Sequence, residues 1–400
     1  MLRVLTLSSL FPDASRPNFG IFVERQTAGL AASAGVEVRV VAPIGLPPGP
    51  LALLQHADRL RLPARETWRG LDVHRPRFTN IPGVAGRWHP FHLQRALEPL
   101  LDGIRDVFPF DVIDASFFFP DGVAAVALGR RYGVPVSIKA RGADIHLWGR
   151  APATGAQVVA AGRAADGLLA VSGAMRDDMI ALGMPAESIR VHHTGVDLDR
   201  FRPLGRTAAK AALGIAGPLV VSLGALIPRK AHHIALQAVA ALPGVTLAIA
   251  GEGPERQRLL AEARDLGVAD RVRLLGAVPH AQIPALLAAA DVMALASTSE
   301  GLANAWIEAL ACGTPIVISA AGGAAEVVTS REAGRIVAGN APNFAVAIAE
   351  LLAAPPPPAA VRATAERFTW QANSEALVAH LSSLVAAGAR DPGRRQASRG

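Results

Sequence analysis

The chain has 400 residues, 51% of them hydrophobic and 18% charged, with a net charge of +7 and a mean hydropathy of +0.30. That length and apolar content exclude a disordered chain and call for two domains rather than one core. Thirty prolines and 38 glycines are scattered among apolar runs, which excludes collagen-like and long coiled-coil folds; no uncharged apolar run reaches membrane-spanning length.

The first apolar run, residues 1–7, is too short for a signal-peptide core and reads as a buried strand over 4–7, which implies a cytoplasmic protein. A loop follows, then a helix over 21–34. Further strands are expected at 36–42, 111–115, 134–138 and 167–171, with helices between them. Residues 43–87 are less regular and rich in Pro and Arg. A second series follows Phe201-Arg202-Pro203, with strands at 219–223, 245–250, 272–274, 292–296 and 315–318. The alternation reads as βαβ units in parallel sheets, an α/β chain of two Rossmann-like doubly wound domains. Such sheets bind ligands at the carboxyl ends of their strands, so a cleft between the domains is expected. The expected division is 1–198, 199–370, a helix over 371–387 returning to the first domain, and a disordered Arg-rich tail over 388–400.

Charge is uneven. Residues 59–95 hold eight Arg against Glu66 and Asp72, with Trp68, Phe78, Trp88 and Phe91 among them. This stretch reads either as a surface for an anionic or membrane-bound partner or as a solvated, irregular segment. No recognition motif accompanies the charge, so nucleic acid is not an expected partner. Lysine occurs only at Lys139, Lys210 and Lys230. The lone Cys312 allows no disulfide or cysteine-based metal site within the chain, and no Asp/Glu/His cluster has metal-ligand spacing.

The strongest motif runs from Ser299 to Pro315 after the strand at 292–296. Glu300 and Glu308, eight apart, would be poor acid/base partners on one continuous helix. With the helix starting near Ala303 or Asn304, Glu300 lies in the loop before it and Glu308 one turn in. Gly301 lets the backbone bend, and the first helical N–H groups form an anion site. Glu308 is then placed to accept from paired hydroxyls. Arg229 and Lys230 close the first strand of the second domain, where adjacent cations suit a diphosphate. Gly251-Glu252-Gly253-Pro254 reads as a strand-to-helix turn with Pro at the first helical position, and Gly322-Gly323 as a further source of backbone N–H groups. In the first domain, three loops share one sheet edge: the one through Gly20, Ser116 to Gly122, and Arg141-Gly142-Ala143-Asp144. For Arg141 and Asp144 a local salt bridge is the alternative reading.

These residues resemble the retaining, nucleotide-sugar-dependent glycosyltransferases of family 4, which have the GT-B fold. The resemblance covers nearly the whole chain and is most specific in the Glu300/Glu308 block. It implies that Glu300 contacts the donor sugar, that Lys230 and Arg229 hold the diphosphate, and that Ser116 faces the reacting centre. It implies a donor site of Gly20, Arg141, Asp144, Gly224, Gly251, Leu275, Gly276, Gly301, Leu302, Ala303, Asn304 and Glu308. Leu275 and Gly276 would lie just after a strand, near the base, and Glu308 would take the ribose hydroxyls. The chain departs from the family at Ser116, where His is common, at Ala225 (often Arg), at Ala231 (often Gly) and at Thr194 (often Asn).

The expectation is therefore a sugar transferred, with retention, from a nucleoside diphosphate to a hydroxyl of a glycan or lipid-linked acceptor. It would serve cell-surface polysaccharide or glycolipid synthesis, with no metal or other cofactor and with peripheral inner-membrane contact through residues 59–95. The alternatives are a non-catalytic nucleotide-sugar or glycan-binding protein and a nucleotide-sugar epimerase on the same fold.

Overall fold

A computed structural model describes residues 1–49, 56–81 and 83–390. The chain divides into two compact units, Met1–Gly195 with Trp370–Gly400, and Val196–Thr369. The last ten residues of the Arg-rich tail lie outside the described residues.

The first unit is built on β1 (Leu2–Leu7), β2 (Val36–Val41), β3 (Ile44–Leu46), β4 (Arg65–Trp68), β5 (Leu71–His74), β6 (Arg77–Thr79), β7 (Val112–Ala115), β8 (Val136–Ala140), β9 (Gly167–Ala170) and β10 (Ile189–Val191). Its main sheet runs β10-β9-β8-β7-β1-β2-β5-β4, with β3 and β6 paired separately. Every pairing in it is parallel except the β4/β5 hairpin. Val4, Leu5, Val112, Ile113, Ile138 and Leu168 are buried, as strands covered on both faces require. The strand order reverses between β1 and β7, so the loops after these two strands open at the switch point.

The helix Trp370–Gly388 belongs to this unit. Its Leu377 and Leu381 pack on Val4, Leu30, Val112 and Leu169. It begins one residue before the expected start.

Residues 59–95 are more regular than one reading of the sequence allowed. Arg65 and Asp72 pair across the hairpin at 2.8 Å. Arg75 is buried, bonded to Glu66 and to the Pro12 carbonyl. Phe78 is buried too, whereas Trp88 and Phe91 are exposed.

The second unit carries β11 (Leu219–Leu223), β12 (Thr246–Ala250), β13 (Val272–Gly276), β14 (Val292–Leu295), β15 (Ile316–Ser319) and β16 (Gly334–Val337), in the order β13-β12-β11-β14-β15-β16. All are parallel. Its core joins Val220, Leu247, Ile249, Val292, Ala294 and Val317 to Leu236, Val239, Phe344 and Ile348 of the covering helices. Here the order reverses between β11 and β14. Lys230 follows the first of these strands and Glu300 the second.

Candidate active site

In the second unit the switch point brings together residues seventy apart in sequence. Arg229 and Lys230 end a short 3-10 turn, Pro228–Lys230, after β11. Glu300 lies midway along the loop after β14. Lys230 Nζ donates to Glu300 Oε1, and Arg229 lies 3.3 Å from Glu300 Oε2. Arg229 also donates to the Ser299 carbonyl at 2.5 Å, while Thr298 N donates back to the Arg229 carbonyl at 2.9 Å. Glu300 is 7% exposed. A buried carboxylate is tolerated there because two cations and the loop backbone surround it.

The helix starts at Asn304, where the sequence placed it, and runs to Ala311. Glu308 sits one turn in, 3.1 Å from His280 Nε2. Phe201 meets the His280 ring edge-on at 5.5 Å. Sequence reasoning did not single out His280; nothing local links it to a residue 28 positions away.

His232 was also missed. Its Nε2 faces the Ala225 carbonyl at 3.2 Å, and its Nδ1 faces Ser222 Oγ at 2.8 Å. A carbonyl only accepts, so Nε2 carries the proton and Nδ1 accepts from the hydroxyl. Burial holds this ring neutral, with its pKa down at about 4. It ties the Gly224–Lys230 turn to β11.

Gly224 lies against the Lys230 stem. Gly251 sits at φ +151°, and a β-carbon there would lie 1.8 Å from the Gly224 carbonyl oxygen. The chain's own turns therefore require this glycine. Leu275 and Gly276 are the last two residues of β13 rather than residues beyond it, and the Gly276 carbonyl accepts from Gly251 N at 2.8 Å. Pro254 precedes the N-cap Glu255 and is not at the first helical position. Gly323 N is not open to a ligand: it donates to the Gly301 carbonyl at 2.9 Å and braces the Glu300 loop. Leu302 and Ala303, in the same loop, are buried.

In the first unit, Gly20, Ser116, Arg141 and Asp144 come from the loops after β1, β7 and β8. Gly20 has φ +69°, and a β-carbon would fall 1.3 Å from the Leu10 carbonyl oxygen. Its freedom serves the loop itself. Asp144 is wholly buried and accepts from Arg141 N at 3.0 Å, Gly142 N at 2.8 Å and Phe118 N at 3.3 Å. Its oxygens are committed to backbone, so it positions the loop rather than contacting a donor. The local Arg141–Asp144 bond is to the Arg141 main chain.

Arg141 itself donates through Nε to the Ser116 carbonyl at 2.9 Å and through a terminal nitrogen to Gln26 Oε1 at 3.2 Å. Burial lowers its pKa to about 10, against the attraction of Asp114 and Asp144. Ser116 has no exposed surface, and its hydroxyl lies 3.4 Å from Arg141. It enters the site as a partner of Arg141, not as an open hydroxyl.

Residues 20–200 match the model of Glycosyltransferase Family 4, and residues 206–368 that of Glycosyl transferases group 1. The chain belongs to the family 4, group 1 glycosyltransferases. A D-inositol 3-phosphate glycosyltransferase of Mycobacterium avium is 39% identical over 212 residues, 49% of this chain and 50% of that protein. One from Segniliparus rotundus is 38% identical over 223 residues, 52% and 50% of the two chains. The chain thus spans about half the length of the curated relatives it matches. The fold is that of a sucrose-phosphate synthase from Thermosynechococcus elongatus, with TM-score 0.79 and 22% identity over 97% of this chain and 100% of that one. It is also that of Anabaena HepE in complex with UDP, with TM-score 0.73 and 21% identity over 96% and 100%. These likenesses establish the GT-B fold of two Rossmann-like domains. Among the described residues, no group of three His, Cys, Asp or Glu could hold a metal ion, and no helix is long and apolar enough to cross a membrane.

Proposed function

We propose that this chain is a retaining glycosyltransferase. It moves a sugar from a nucleoside diphosphate to a hydroxyl of a glycan or lipid-linked acceptor, in the cytoplasm, for cell-surface polysaccharide or glycolipid synthesis. The observation that carries this reading is the convergence of Lys230, Arg229 and Glu300 beside the helix that bears Glu308. Two cations and a helix N-terminus suit a diphosphate, and a carboxylate beside them suits sugar hydroxyls. The curated relatives' name supports glycosyl transfer, and fold neighbours solved with UDP or with ADP support a nucleotide donor. Base and acceptor are for experiment to assign.

In the proposed step the acceptor oxygen bonds to the anomeric carbon as the bond to the diphosphate oxygen breaks. The bonding pair leaves on that oxygen, which takes the acceptor's proton on the same face. Lys230 and Arg229 stabilise the departing charge, Lys230 by about 3 kcal/mol where water is excluded and Arg229, 42% exposed, by less. No metal is needed in this scheme, so activity should survive EDTA.

A thermal-shift series of nucleoside diphosphates and their sugars tests the donor site. One nucleotide should stabilise the wild type and not Glu308→Ala. No shift at millimolar concentration with any of them would overturn the reading and favour a glycan-binding protein. Turnover of the donor without acceptor into an epimer would favour the epimerase.

We also propose peripheral membrane contact through Trp88 and Phe91, each about half exposed. Arg87 covers the Trp88 ring at 5.4 Å and Arg95 the Phe91 ring at 5.8 Å. Aromatic rings with adjacent cations suit an anionic interface. Anionic vesicles at low salt should co-sediment with the wild type and not with Trp88→Ser/Phe91→Ser; failure of the wild type to bind would refute it.

A further inference from the structure

We propose that Gln26 is a positioning residue for Arg141, and that Lys139, His192 and Asn373 extend that support to the last helix of the chain. The inference rests on the reading of Arg141 as part of the substrate site. It follows from a buried polar chain that the family motifs do not include.

Arg141 leaves the carboxyl end of β8, and its guanidinium lies over the Phe22 ring at 4.8 Å. Phe22 and Gln26 are four apart on the helix Ile21–Ala31, so one helical face supports the whole group. Gln26 Oε1 accepts from Arg141 at 3.2 Å and from Lys139 Nζ at 2.9 Å. Arg141 can only donate, so chemistry fixes which end of the amide faces it. Lys139 Nζ lies 2.8 Å from His192 Nδ1, and His192 Nε2 lies 2.8 Å from the Asn373 carbonyl. That carbonyl only accepts, so Nε2 carries the ring proton and Nδ1 accepts from Lys139. Asn373 Nδ2 donates in turn to the His193 carbonyl at 2.6 Å. Gln26, Lys139 and His192 are all buried.

A structural role alone explains this poorly. A guanidinium and an amine, whose pKa burial pushes well below the usual lysine range, share one amide oxygen, at a desolvation cost that a well-packed apolar group would avoid. Asp114, buried one strand away, supplies counter-charge but no hydrogen bond to either. A carboxylate at position 26 would pair with Arg141 and satisfy it. A neutral amide orients the guanidinium and leaves it able to bind an anion. The Arg141 NH1 nitrogen has no protein acceptor among the described residues, which leaves an edge for an anionic oxygen, phosphate or carboxylate, of a substrate.

The test is a double-mutant cycle on transfer activity with Gln26→Met, Arg141→Ala and the pair, normalised to folded protein by circular dichroism. Gln26→Met should raise, about tenfold, the same KM that Arg141→Ala raises, with kcat changed less than about threefold. The double variant should be no worse than Arg141→Ala. Gln26→Glu keeps an acceptor and adds charge; it should raise that KM without lowering Tm, which a purely structural role would not produce. An additive cycle, or Gln26→Glu with wild-type KM, overturns the proposal. A wild type that turns over no nucleotide sugar defeats the transferase reading instead. A crystal structure of Gln26→Met then decides: Arg141 swung from the Ser116 carbonyl supports the proposal, and Arg141 unmoved refutes it.

Discussion

Glu300→Gln should tighten nucleoside diphosphate binding while reducing transfer. The Glu300 carboxylate pairs with Lys230 and Arg229, the cations proposed to hold the diphosphate. A nucleotide must displace that carboxylate or bind beside it. At about 6 Å and an effective dielectric near 20, each unit charge on the diphosphate is repelled by about 3 kcal/mol. Arg229 is 42% exposed, so solvent screens much of this. About 1.4 kcal/mol of relief, a tenfold lower Kd, is a reasonable net figure. Removing one partner of a buried pair can cost 3–5 kcal/mol, but Gln keeps an acceptor for Lys230, so a loss of about 1–2 kcal/mol is expected. Transfer should fall about a hundredfold or more, because the charge proposed to face the donor sugar is gone. Isothermal titration with the nucleotide found by thermal shift gives Kd, and steady-state assays give kcat. Unchanged or weaker nucleotide binding would refute the competition argument, and wild-type kcat would remove Glu300 from the chemistry.

His280→Phe removes the partner that holds Glu308 at 3.1 Å, and should raise the donor KM about tenfold while sparing kcat; steady-state kinetics decide. Gly251→Ala places a β-carbon 1.8 Å from a carbonyl oxygen at φ +151° and should cost about 3 kcal/mol or more by urea unfolding. Asp121 is wholly buried, and desolvation raises its pKa to about 7. The folded state therefore keeps a proton that the unfolded chain has released above about pH 4. This contribution is full below the unfolded value and is lost as pH rises through about 7. In Asp121→Asn the amide does not ionise, so variant-minus-wild-type Tm should climb between pH 5 and 8; a flat difference would refute the assignment. The difference is the proper readout, because His232 and His380, both near 4, give wild-type stability the opposite slope below pH 6.5.

The strands β11, β12, β14 and β15 were legible to within a residue because parallel strands buried on both faces read as continuous apolar runs. The edge strands β10 and β16 are short and partly exposed, and left no such run. The outer strand of the hairpin, Arg65–Trp68, is a mostly polar antiparallel edge with no buried residue, and reads from sequence as irregular. Lys230 and Glu300 were found because switch-point geometry places loops after adjacent strands together whatever their separation in sequence. Nothing of that kind reveals Gln26, Lys139, His192 and Asn373, whose bonds join positions 53 to 181 residues apart. One signal did exist. A chain with only three lysines sets one of them inside the apolar strand Val136–Ala140, where an ammonium group needs acceptors that the strand cannot supply. Such a residue implies partners on the elements that cover the sheet. The helices Ile21–Ala31 and Trp370–Gly388 provide Gln26 and Asn373, and His192, just past β10, completes the chain. The buried lysine thus marks where the first unit gives up apolar packing to hold Arg141 at the open edge of its sheet.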